Sequence, residues 1–418
     1  MTGFSRINGT LTVDGIPLED IAARFPTPLY IYSAATIRES YTRFAEAVAG
    51  PKSRVHFAVK SNSNLAILRL LGSLGAGADI VSGGEMQRAL KAGIAPEAII
   101  FSGVGKSDAE ITAALEAGIG QINAESEAEV MRILALAGSS GRSSRLALRI
   151  NPDVDASTHA KISTGKSDTK FGISREAATD LYRRIAESGV MEPGGLAVHI
   201  GSQIMTLEPF REAWTTLLEM ARQLEAENLP VPQLDLGGGI GIDYKTGEPA
   251  DIEAFGHLVR SIFGNEPYHL GFEPGRFLTA EAGILLTETL YTKSTSGKRF
   301  IIVDAAMNDL IRPTLYEAYH RIETVADKGA PIGAADIVGP VCETGDYLGL
   351  DRMMPAIDKG DLLAVFSAGA YGAVMRSAYN TRPPAAELLV LDGEVHPVSV
   401  PQRVEDLLAQ DLIPTALQ

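Results

Sequence analysis

A lysine ends an apolar run near the start of the chain. The stretch VHFAVKSNSN, residues 55–64, runs into Lys60 and continues in small polar residues. Most lysines that follow a strand are simply solvated. At the mouth of a pocket, however, a lysine amine can attack a carbonyl group and form a covalent link. The chemistry of Lys60 therefore depends on which residues the fold brings beside it.

Polar residues and glycines also follow the later apolar runs. Taken singly, each has an ordinary explanation: a histidine in a strand is most often a satisfied core residue, and a glycine run is often a turn. If the runs are parallel strands of one barrel, the same residues converge on one rim. They are Asp79 with Ser82, Ser102, Asn123, Arg149 with Asn151, His199 with Ser202, Gly237 to Gly241, and Glu273 with Arg276.

The segment DLGGGIGIDY, residues 235–244, contains three consecutive glycines, Gly237, Gly238 and Gly239. It matches neither GxGxxG nor a Walker loop ending in GK[ST], so it does not indicate a dinucleotide or ATP site. Small residues still let backbone N–H groups approach a phosphate, and late barrel strands commonly carry phosphate sites. The pattern makes a phosphate-bearing cofactor plausible.

A lysine, a phosphate cradle and a carboxylate together suggest pyridoxal 5′-phosphate, whose aldehyde is held by an amine. In this hypothesis Lys60 is the covalent anchor. Glu273, in the segment FEPGR, keeps the pyridine nitrogen protonated, and the imidazole of His199 lies against the ring.

Eight short β-rich runs alternate with segments of helical spacing. Parallel strands need helical crossovers, and eight such units favour a closed (β/α)8 TIM-type barrel over an open doubly wound sheet. Ser107 and Ser126 stand where helix N-caps are expected. A polar loop over residues 151–173 is long enough to be functional. The strand runs are RVHFAV (54–59), GADIV (77–81), AIIFS (98–102), GQIN (120–123), RLALRI (145–150), GLAVHI (195–200), PQLDL (232–236) and YHLGF (268–272).

The pattern changes after about residue 280 to β-rich segments such as GILLTETLYTK and RFIIVDAA. The segment ELLVLDGEVHPVSV is typical of a hairpin that turns at Asp392-Gly393. This part of the chain predicts a separate β domain.

Composition restricts the possible partners. The 418 residues carry a formal charge of -15 without a cluster of Lys and Arg, which argues against nucleic acid. The single cysteine, Cys342, excludes an intrachain disulfide and a cysteine zinc cage, so no metal site is indicated, and it fits a reducing cytoplasm. An apolar run of about 18 residues, the minimum for a membrane span, is missing, as is a leader pattern at the N-terminus. We therefore expect neither membrane insertion nor secretion.

Ten segments, distributed over almost the whole chain, resemble those of the fold type III pyridoxal-phosphate decarboxylases and occur in the same order. This resemblance implies an alanine racemase-like architecture: a cofactor-binding barrel over residues 28–275 and a β-rich domain of residues 276–418 with 1–27. It also implies a homodimer with shared active sites. The segments are HFAVKSNSN, DIVSGGEM, ESEAEV, RINPDVDASTHAKISTGKSDTKFGI, HIGSQI, LDLGGGIGIDY, EPGR, DAAMNDLIRPTLYEAYH, VGPVCETGDYLG and AGAYGAVMRSAYNTRP.

The resemblance assigns roles to individual positions. Lys60, His199 and Glu273 match the covalent anchor, the ring-stacking histidine and the pyridinium partner, and Cys342 matches a proton donor contributed across the dimer. From the residues alone, we would interpret Cys342 as a small buried hydrophobe and Arg312 as a surface charge. The resemblance reverses both interpretations, because it makes Cys342 a proton donor and Arg312 a binding residue. The implied cofactor-binding positions are Lys60, Asp79, Arg149, His199, Ser202, Gly237, Gly238, Gly239, Glu273, Pro274, Gly275, Arg276 and Tyr371. The implied substrate-binding positions are Arg276, Arg312, Tyr316, Glu343 and Tyr371.

The motif CETGD, residues 342–346, bears on the substrate. Related ornithine-type decarboxylases place an aspartate after the cysteine, whereas here Glu343 follows Cys342. We expect Glu343 to bind a distal ammonium while Arg276, Arg312 and Tyr316 bind a distal carboxylate. The substrate that carries both groups is meso-2,6-diaminopimelate, and its decarboxylation yields L-lysine. The alternative is another basic amino acid, ornithine, lysine or arginine, on the same scaffold.

Three other classes of protein fit the residues less well. A racemase of the same architecture would have an arginine in place of Glu273. A pyridoxal-phosphate carrier would need only the barrel. A catalytically inactive regulatory homologue would be expected to lack Lys60 or Cys342, and the chain has both.

Overall fold

The computed structural model describes residues 3–50, 52–156, 164–166, 169–248 and 250–417. The chain divides into two compact units. The barrel unit comprises residues 38–242 and 249–278, and the β unit comprises residues 1–37, 243–248 and 279–418.

The strands are β1 (Phe4–Ile7), β2 (Thr10–Val13), β3 (Ile16–Pro17), β4 (Leu29–Ser33), β5 (Ser53–Ala58), β6 (Gly77–Ile80), β7 (Ile99–Phe101), β8 (Gln121–Ala124), β9 (Arg145–Ile150), β10 (Glu192–Val198), β11 (Gln233–Asp235), β12 (His269–Phe272), β13 (Gly283–Thr295), β14 (Lys298–Val303), β15 (Ile322–Thr324), β16 (Gly333–Val338), β17 (Tyr347–Met354), β18 (Leu362–Val365), β19 (Ala386–Leu391) and β20 (Glu394–Pro397). The helices are α1 (Leu18–Ala22), α2 (Ala34–Ala47), α3 (Leu65–Ser73), α4 (Gly83–Lys91), α5 (Asp108–Ala117), α6 (Glu127–Ser140), α7 (Arg175–Ser188), α8 (Glu208–Ala226), α9 (Ile252–Phe263), α10 (Arg276–Thr279), α11 (Arg312–Tyr316) and α12 (Val404–Leu408). Short 3-10 helices lie at Val59–Ser61, Pro96–Ala98, Ala373–Met375, Tyr379–Thr381 and Thr415–Leu417.

Eight parallel strands of the barrel unit close on themselves in the order β10-β11-β12-β5-β6-β7-β8-β9. The register Leu270 opposite Ser53 joins the last strand to the first and leaves no open edge. Each strand overlaps one of the eight runs predicted from the sequence, so the (β/α)8 barrel is confirmed and the open doubly wound sheet is wrong.

Side-chain caps define where the barrel helices begin. Ser107 and Glu110 form a reciprocal capping box at α5, and the Ser126 hydroxyl accepts the N–H of Glu129 at α6. Both predicted N-caps are thus confirmed. On α8, Trp214 is 1% exposed and donates its indole N–H to the Leu236 carbonyl over 3.1 Å. This bond attaches α8 to the residue that precedes the glycine run.

The β unit contains a sheet with the strand order β17-β16-β14-β13-β4-β19-β20, and β18 pairs with β13 and β15. Its apolar core includes Phe4, Leu11 and Leu18 from the start of the chain together with Ile284 and Phe366. β19 and β20 form a hairpin across Asp392 and Gly393, whose φ angles of 51° and 84° are both left-handed. The predicted hairpin is confirmed.

The unit boundaries differ from the predicted residues 28–275 and 276–418 with 1–27. Strand β4, Leu29–Ser33, pairs with β13 and β19, which places residues up to 37 in the β unit. The barrel unit begins at residue 38, and from there Phe44 packs against Phe255 and Phe272. Residues 276–278 belong to the barrel unit and residues 243–248 to the β unit. None of the described helices is long and apolar enough to cross a membrane.

Candidate active site at the barrel rim

The C-terminal ends of the barrel strands surround a cavity of about 200 Å³. Its walls come from distant parts of the sequence, because Lys60 follows β5, Arg149 lies on β9 and Glu273 follows β12. The other lining residues are Val81, Ser102, Gly103, Asn123, Thr164, Phe171, Ala197, Val198 and His199. The structure therefore brings the predicted lysine, histidine and glutamate to one cavity, hereafter the rim cavity.

Lys60 lies in the 3-10 turn Val59–Ser61 directly after β5. Its ammonium donates to Oδ2 of Asp79 over 2.7 Å, and Asp79 is fully buried whereas the lysine side chain is 32% exposed. Oδ1 of Asp79 has no hydrogen-bond partner among the described residues. Because a buried carboxylate requires a compensating charge, Asp79 holds the amine at the cavity wall.

His199 is held as a neutral imidazole. The backbone N–H of Gly238 donates to Nδ1 of His199 over 3.2 Å, so that Nδ1 carries no proton. Burial lowers the pKa of His199 well below 6.5, and the charges of Arg149 and Lys60 lower it further. The imidazole can therefore donate from Nε2 but brings no positive charge to the cavity.

Arg149 is fixed by an ion pair that is buried with it. One guanidinium nitrogen donates to both carboxylate oxygens of Glu125, over 2.9 and 3.0 Å, and the other donates to the His199 carbonyl over 3.2 Å. The guanidinium also lies 5.0 Å from the centroid of the Phe171 ring. The Thr164 hydroxyl donates to the same His199 carbonyl over 2.9 Å. These bonds leave Arg149 little freedom to reorient.

Thr164 and Phe171 belong to the predicted functional loop, residues 151–173. Residues 157–163 and 167–168 of that loop lie outside the described residues. The described part reaches the rim cavity through those two side chains.

Glu273 contributes a buried carboxyl group to the rim cavity. Burial raises its pKa well above 4.5, and the neighbouring carboxylates of Asp235 and Asp79 raise it further, with Lys60 acting in the opposite direction. The Ser102 hydroxyl lies 3.5 Å from Oε1 of Glu273 and accepts a bond from the Asn123 amide over 3.1 Å. A nearby cation would lower the cost of ionising this glutamate.

The glycine run packs against two neighbouring strand ends. A Cβ on Gly237 would lie 2.2 Å from the Val198 carbonyl oxygen, and one on Gly238 would lie 2.0 Å from the Glu273 carbonyl oxygen. Gly239 has φ +102°, and its Cβ would lie 2.4 Å from the Gly201 carbonyl oxygen. Only glycine therefore permits the close backbone approach that joins these loops.

Ser202 and Arg276 are brought together beside the glycine run. The guanidinium of Arg276 donates to the Ser202 hydroxyl over 3.0 Å, and Arg276 is 6% exposed. A Cβ on Gly275 would lie 2.9 Å from Ser61, so the turn Pro274-Gly275 packs closely against the segment that carries Lys60. A hydroxyl and a guanidinium in this position are suitable ligands for a phosphate.

Arg312 lies in the β unit and is 6% exposed. Its guanidinium lies 4.6 Å from the centroid of the Tyr244 ring and 3.1 Å from Nε2 of His320. His320 is fully buried, and its Nδ1 lies 2.8 Å from the Phe366 carbonyl, so Nδ1 carries the proton and Nε2 accepts from Arg312. The interpretation of Arg312 as a surface charge is wrong, because its side chain is buried against Tyr244 and His320.

Cys342 and Glu343 lie in the turn between β16 and β17, and both are exposed in this chain. The buried carboxylate of Asp346 fixes the turn by accepting the N–H groups of Val341 and Met307 over 2.6 and 2.7 Å. The interpretation of Cys342 as a buried hydrophobe is therefore wrong. Tyr316 and Tyr371, the remaining predicted residues of the β unit, are half-buried.

Three residues near these groups were missed from the sequence: two buried acids, Glu125 and Asp235, and the half-buried Tyr244. Glu125 pairs with Arg149, Asp235 raises the pKa of Glu273, and Tyr244 stacks on Arg312. Asp235 alone had a usable signal: in LDLGGG only Leu236 separates it from the glycine run, and it alternates with the leucines of a short strand.

The residues of the rim cavity fit pyridoxal 5′-phosphate. The amine of Lys60 can hold an aldehyde, and the buried Glu273, with its raised pKa, can pair with a protonated ring nitrogen. The glycine run, Ser202 and Arg276 provide small residues, a hydroxyl and a guanidinium for a phosphate.

Comparison with known proteins agrees with this geometry. Residues 34–280 match the model of the pyridoxal-dependent decarboxylases, pyridoxal binding domain. The chain is 48% identical over 416 residues to diaminopimelate decarboxylase of Zymomonas mobilis, with 98% of this chain and 99% of the relative covered. It is 46% identical over 415 residues to the enzyme of the same name from Pseudomonas aeruginosa, with 99% and 100% covered.

Solved structures extend the likeness to the fold. Diaminopimelate decarboxylase of Helicobacter pylori complexed with L-lysine matches with a TM-score of 0.91 and 40% identity, covering 94% of this chain and 98% of that one. The M. jannaschii enzyme in co-complex with L-lysine matches with a TM-score of 0.95 and 34% identity, covering 100% of both chains. The chain therefore belongs to the diaminopimelate decarboxylases of the pyridoxal-dependent decarboxylase family.

Proposed function

We propose that this protein decarboxylates meso-2,6-diaminopimelate to L-lysine and carbon dioxide with pyridoxal 5′-phosphate as its cofactor. The observation that carries the proposal is the convergence of Lys60, His199 and Glu273 on one cavity, in a chain 48% identical to a diaminopimelate decarboxylase. This reaction is the last step of lysine biosynthesis.

Bound pyridoxal phosphate supplies an electron sink for the pair of electrons that remains on the substrate when carbon dioxide leaves. Lys60 would hold the cofactor through its amine and yield that position to the substrate amine. Asp79 keeps the lysine ammonium in place, 2.7 Å from its carboxylate. Ser202 and Arg276, with the glycine run, would hold the phosphate.

Glu273 would keep the ring nitrogen protonated. Burial and two neighbouring carboxylates raise its pKa, which means that its ionised form is costly by itself. A protonated ring nitrogen beside it would offset that cost. The neutral imidazole of His199 provides a polar wall without competing for that charge.

The predicted substrate-binding residues, most of which belong to the β unit, would recognise the substrate. The buried guanidinium of Arg312, oriented by His320, suits the distal carboxylate, and Glu343 suits the distal ammonium. Tyr316, Tyr371 and Arg276 would complete the substrate contacts. Ornithine and lysine lack the distal carboxylate, so neither would form the charge-assisted bonds that Arg312 can offer to diaminopimelate.

The protein would act as a homodimer in which Cys342 of the partner subunit delivers the proton to the carbon that lost its carboxylate. The exposure of Cys342 and Glu343 in the single chain supports this arrangement, because exposed side chains are available to a second subunit. We also propose a cytoplasmic location, since Cys342 can donate a proton only as a free thiol, and thiols stay reduced there.

A substrate panel tests the proposal. Purified protein loaded with pyridoxal phosphate is incubated separately with meso-diaminopimelate, ornithine, lysine and arginine, and released carbon dioxide is measured. We expect release from meso-diaminopimelate to exceed that from the other three by at least about 100-fold, the selectivity expected when a buried polar group loses its partner. Preference for ornithine or arginine would support the alternative substrate class on the same scaffold. Release from none of them would overturn the proposed activity.

A further inference from the structure

A second cavity, of about 250 Å³, lies at the opposite end of the barrel from the rim cavity. Its polar lining residues are Lys52, Arg54, His56, Arg145, Gln233 and His269. Four of the barrel strands contribute residues at or near their starts, because β5 begins at Ser53, β9 at Arg145, β11 at Gln233 and β12 at His269. This basal cavity is therefore formed where barrel strands begin, whereas Lys60 and Glu273 follow the ends of β5 and β12.

The cations of the basal cavity are not neutralised by carboxylates. Within the described part of the chain, no ion pair joins an acidic side chain to Lys52, Arg54 or Arg145, although the whole protein carries a formal charge of -15. The Lys52 ammonium donates to the Pro267 carbonyl over 2.6 Å, and Nε of Arg145 donates to the Gly120 carbonyl over 2.9 Å. Backbone carbonyls, which carry no formal charge, thus fix two of the cations in place.

Charges of both signs act on Arg145. Burial lowers the pKa of Arg145, the carboxylate of Glu192 raises it, and the charge of Arg54 lowers it. Glu192 is the neighbour of Arg145 in the β9–β10 register and is exposed, so its charge is well screened by water.

His56 adds a buried imidazole to the basal cavity. It is 5% exposed, and its Nδ1 has no hydrogen-bond partner among the residues that the structure describes. Burial lowers the pKa of His56 to about 3, the charges of Arg54 and Arg145 contribute in the same direction, and the Ala98 carbonyl opposes them. Lys52 and Arg54 are exposed and Arg145 is half-buried, so an anion can reach these cations from the solvent and bind several of them at one cavity.

We propose that the basal cavity binds a small oxyanion that carries at least two negative charges. The guanidinium groups of Arg54 and Arg145 can each bind a phosphate or a carboxylate with two hydrogen bonds, and Lys52 adds a point charge. The uncharged donors of Gln233 and His56 can complete the contacts. Phosphate esters and polycarboxylates share this chemistry, and the volume of about 250 Å³ is large enough for a small organic anion of either kind.

The test uses the enzyme loaded with pyridoxal phosphate, so that the phosphate site of the rim cavity is already filled. Inorganic phosphate and citrate are added separately at constant ionic strength, with chloride as the balancing anion, and the unfolding midpoint is followed. We expect phosphate, citrate or both to raise the midpoint by about 2 °C or more at saturation, because a ligand of the folded state alone stabilises it. A response to phosphate alone assigns the site to phosphate compounds and a response to citrate alone to polycarboxylates; a response to neither overturns the proposal.

Two arginine variants locate the binding. Arg54→Met and Arg145→Met should each weaken the response at least about tenfold in the anion concentration required, the loss expected for one charge-assisted contact. Arg211→Met is the matched control, because Arg211 lies in the first turn of α8 and its side chain is 51% exposed. An undiminished response in both cavity variants, or an equal loss in the control, would exclude the basal cavity as the site.

A measurement on the wild-type enzyme does not depend on the folding of any variant. The titration of His56 is followed by NMR of histidine-labelled protein, with His56→Gln used to assign its signal. Bound phosphate or citrate should raise the pKa of His56 from about 3 towards 6.5, since an anion offsets the effect of Arg54 and Arg145. An unchanged titration at saturating phosphate and citrate would contradict the proposal.

Discussion

Glu273 shows how a single residue acquires its chemistry from its surroundings. In water its carboxyl group would ionise near pH 4.5, but burial and the carboxylates of Asp235 and Asp79 raise its pKa well above that value. The same residue in the open would be a poor partner for a ring nitrogen, because water would compete for the charge. The chemistry of Glu273 therefore depends on its burial and on the two nearby carboxylates, whose effect on its pKa is only partly offset by Lys60.

The variant Glu273→Gln tests that role. The amide cannot keep a ring nitrogen protonated, so we expect kcat to fall by roughly 100-fold or more while KM changes by less than about threefold. Steady-state decarboxylation of meso-diaminopimelate measures both constants. Glu116→Gln, on the exposed side of α5, is the control and should retain full turnover. Nearly normal kcat in the Glu273 variant would contradict the assigned role.

The element that organises the rim is the loop after β11. Its three glycines let the backbone pass within contact distance of the carbonyl oxygens of Val198, Glu273 and Gly201. The β10, β11 and β12 ends are thereby held together, and His199 receives the N–H bond that sets its tautomer. The glycine run consequently serves packing and site geometry in addition to any contact with a phosphate.

The variant Gly238→Ala should damage both properties. The new Cβ would lie 2.0 Å from the Glu273 carbonyl oxygen, so the backbone must move, at a cost of about 1–3 kcal/mol in the free energy of unfolding. Denaturant unfolding measures the loss, and absorbance of bound pyridoxal phosphate measures cofactor retention. Gly105→Ala is the matched control, because a Cβ there meets nothing within 4 Å. Equal stability of the two variants would show that the loop can relax without cost.

For the whole molecule, the proposed homodimer makes the active site depend on two chains. Lys60 lies in the barrel unit and Cys342 in the β unit, and the proposal assigns the cysteine of each active site to the partner subunit. A twofold dimer has two equivalent sites, each of which then needs residues from both subunits.

Mixing two inactive variants tests this sharing. Lys60→Ala and Cys342→Ala should each be nearly inactive alone, whereas refolded or co-expressed mixtures should regain roughly one quarter of wild-type activity. Random assortment makes half of the dimers mixed, and each mixed dimer has one intact site out of two. Carbon dioxide release from meso-diaminopimelate is measured, and each variant mixed with itself is the control. No recovery in mixed dimers would place both residues of a site on one chain.

The sequence by itself was sufficient to predict the closed barrel of eight parallel strands. Eight apolar runs alternated with helical spacing, and two serine caps and one hairpin were readable because they depend on residues within a few positions of one another. The convergence of Lys60, His199 and Glu273 could be predicted once the barrel was recognised, because a parallel barrel places the C-terminal ends of all its strands on one rim.

Only the tertiary structure decided the partners and the burial of individual groups. Arg312 is buried and Cys342 is exposed, the reverse of what their residue types indicate. The pairing of Arg149 with Glu125 and the cation-lined basal cavity arise from strands that are distant in sequence and meet only when the barrel closes. Local sequence patterns indicate where helices and strands begin and end and which face of each is apolar. Desolvation and charge pairing depend instead on which helices and strands become neighbours in the fold.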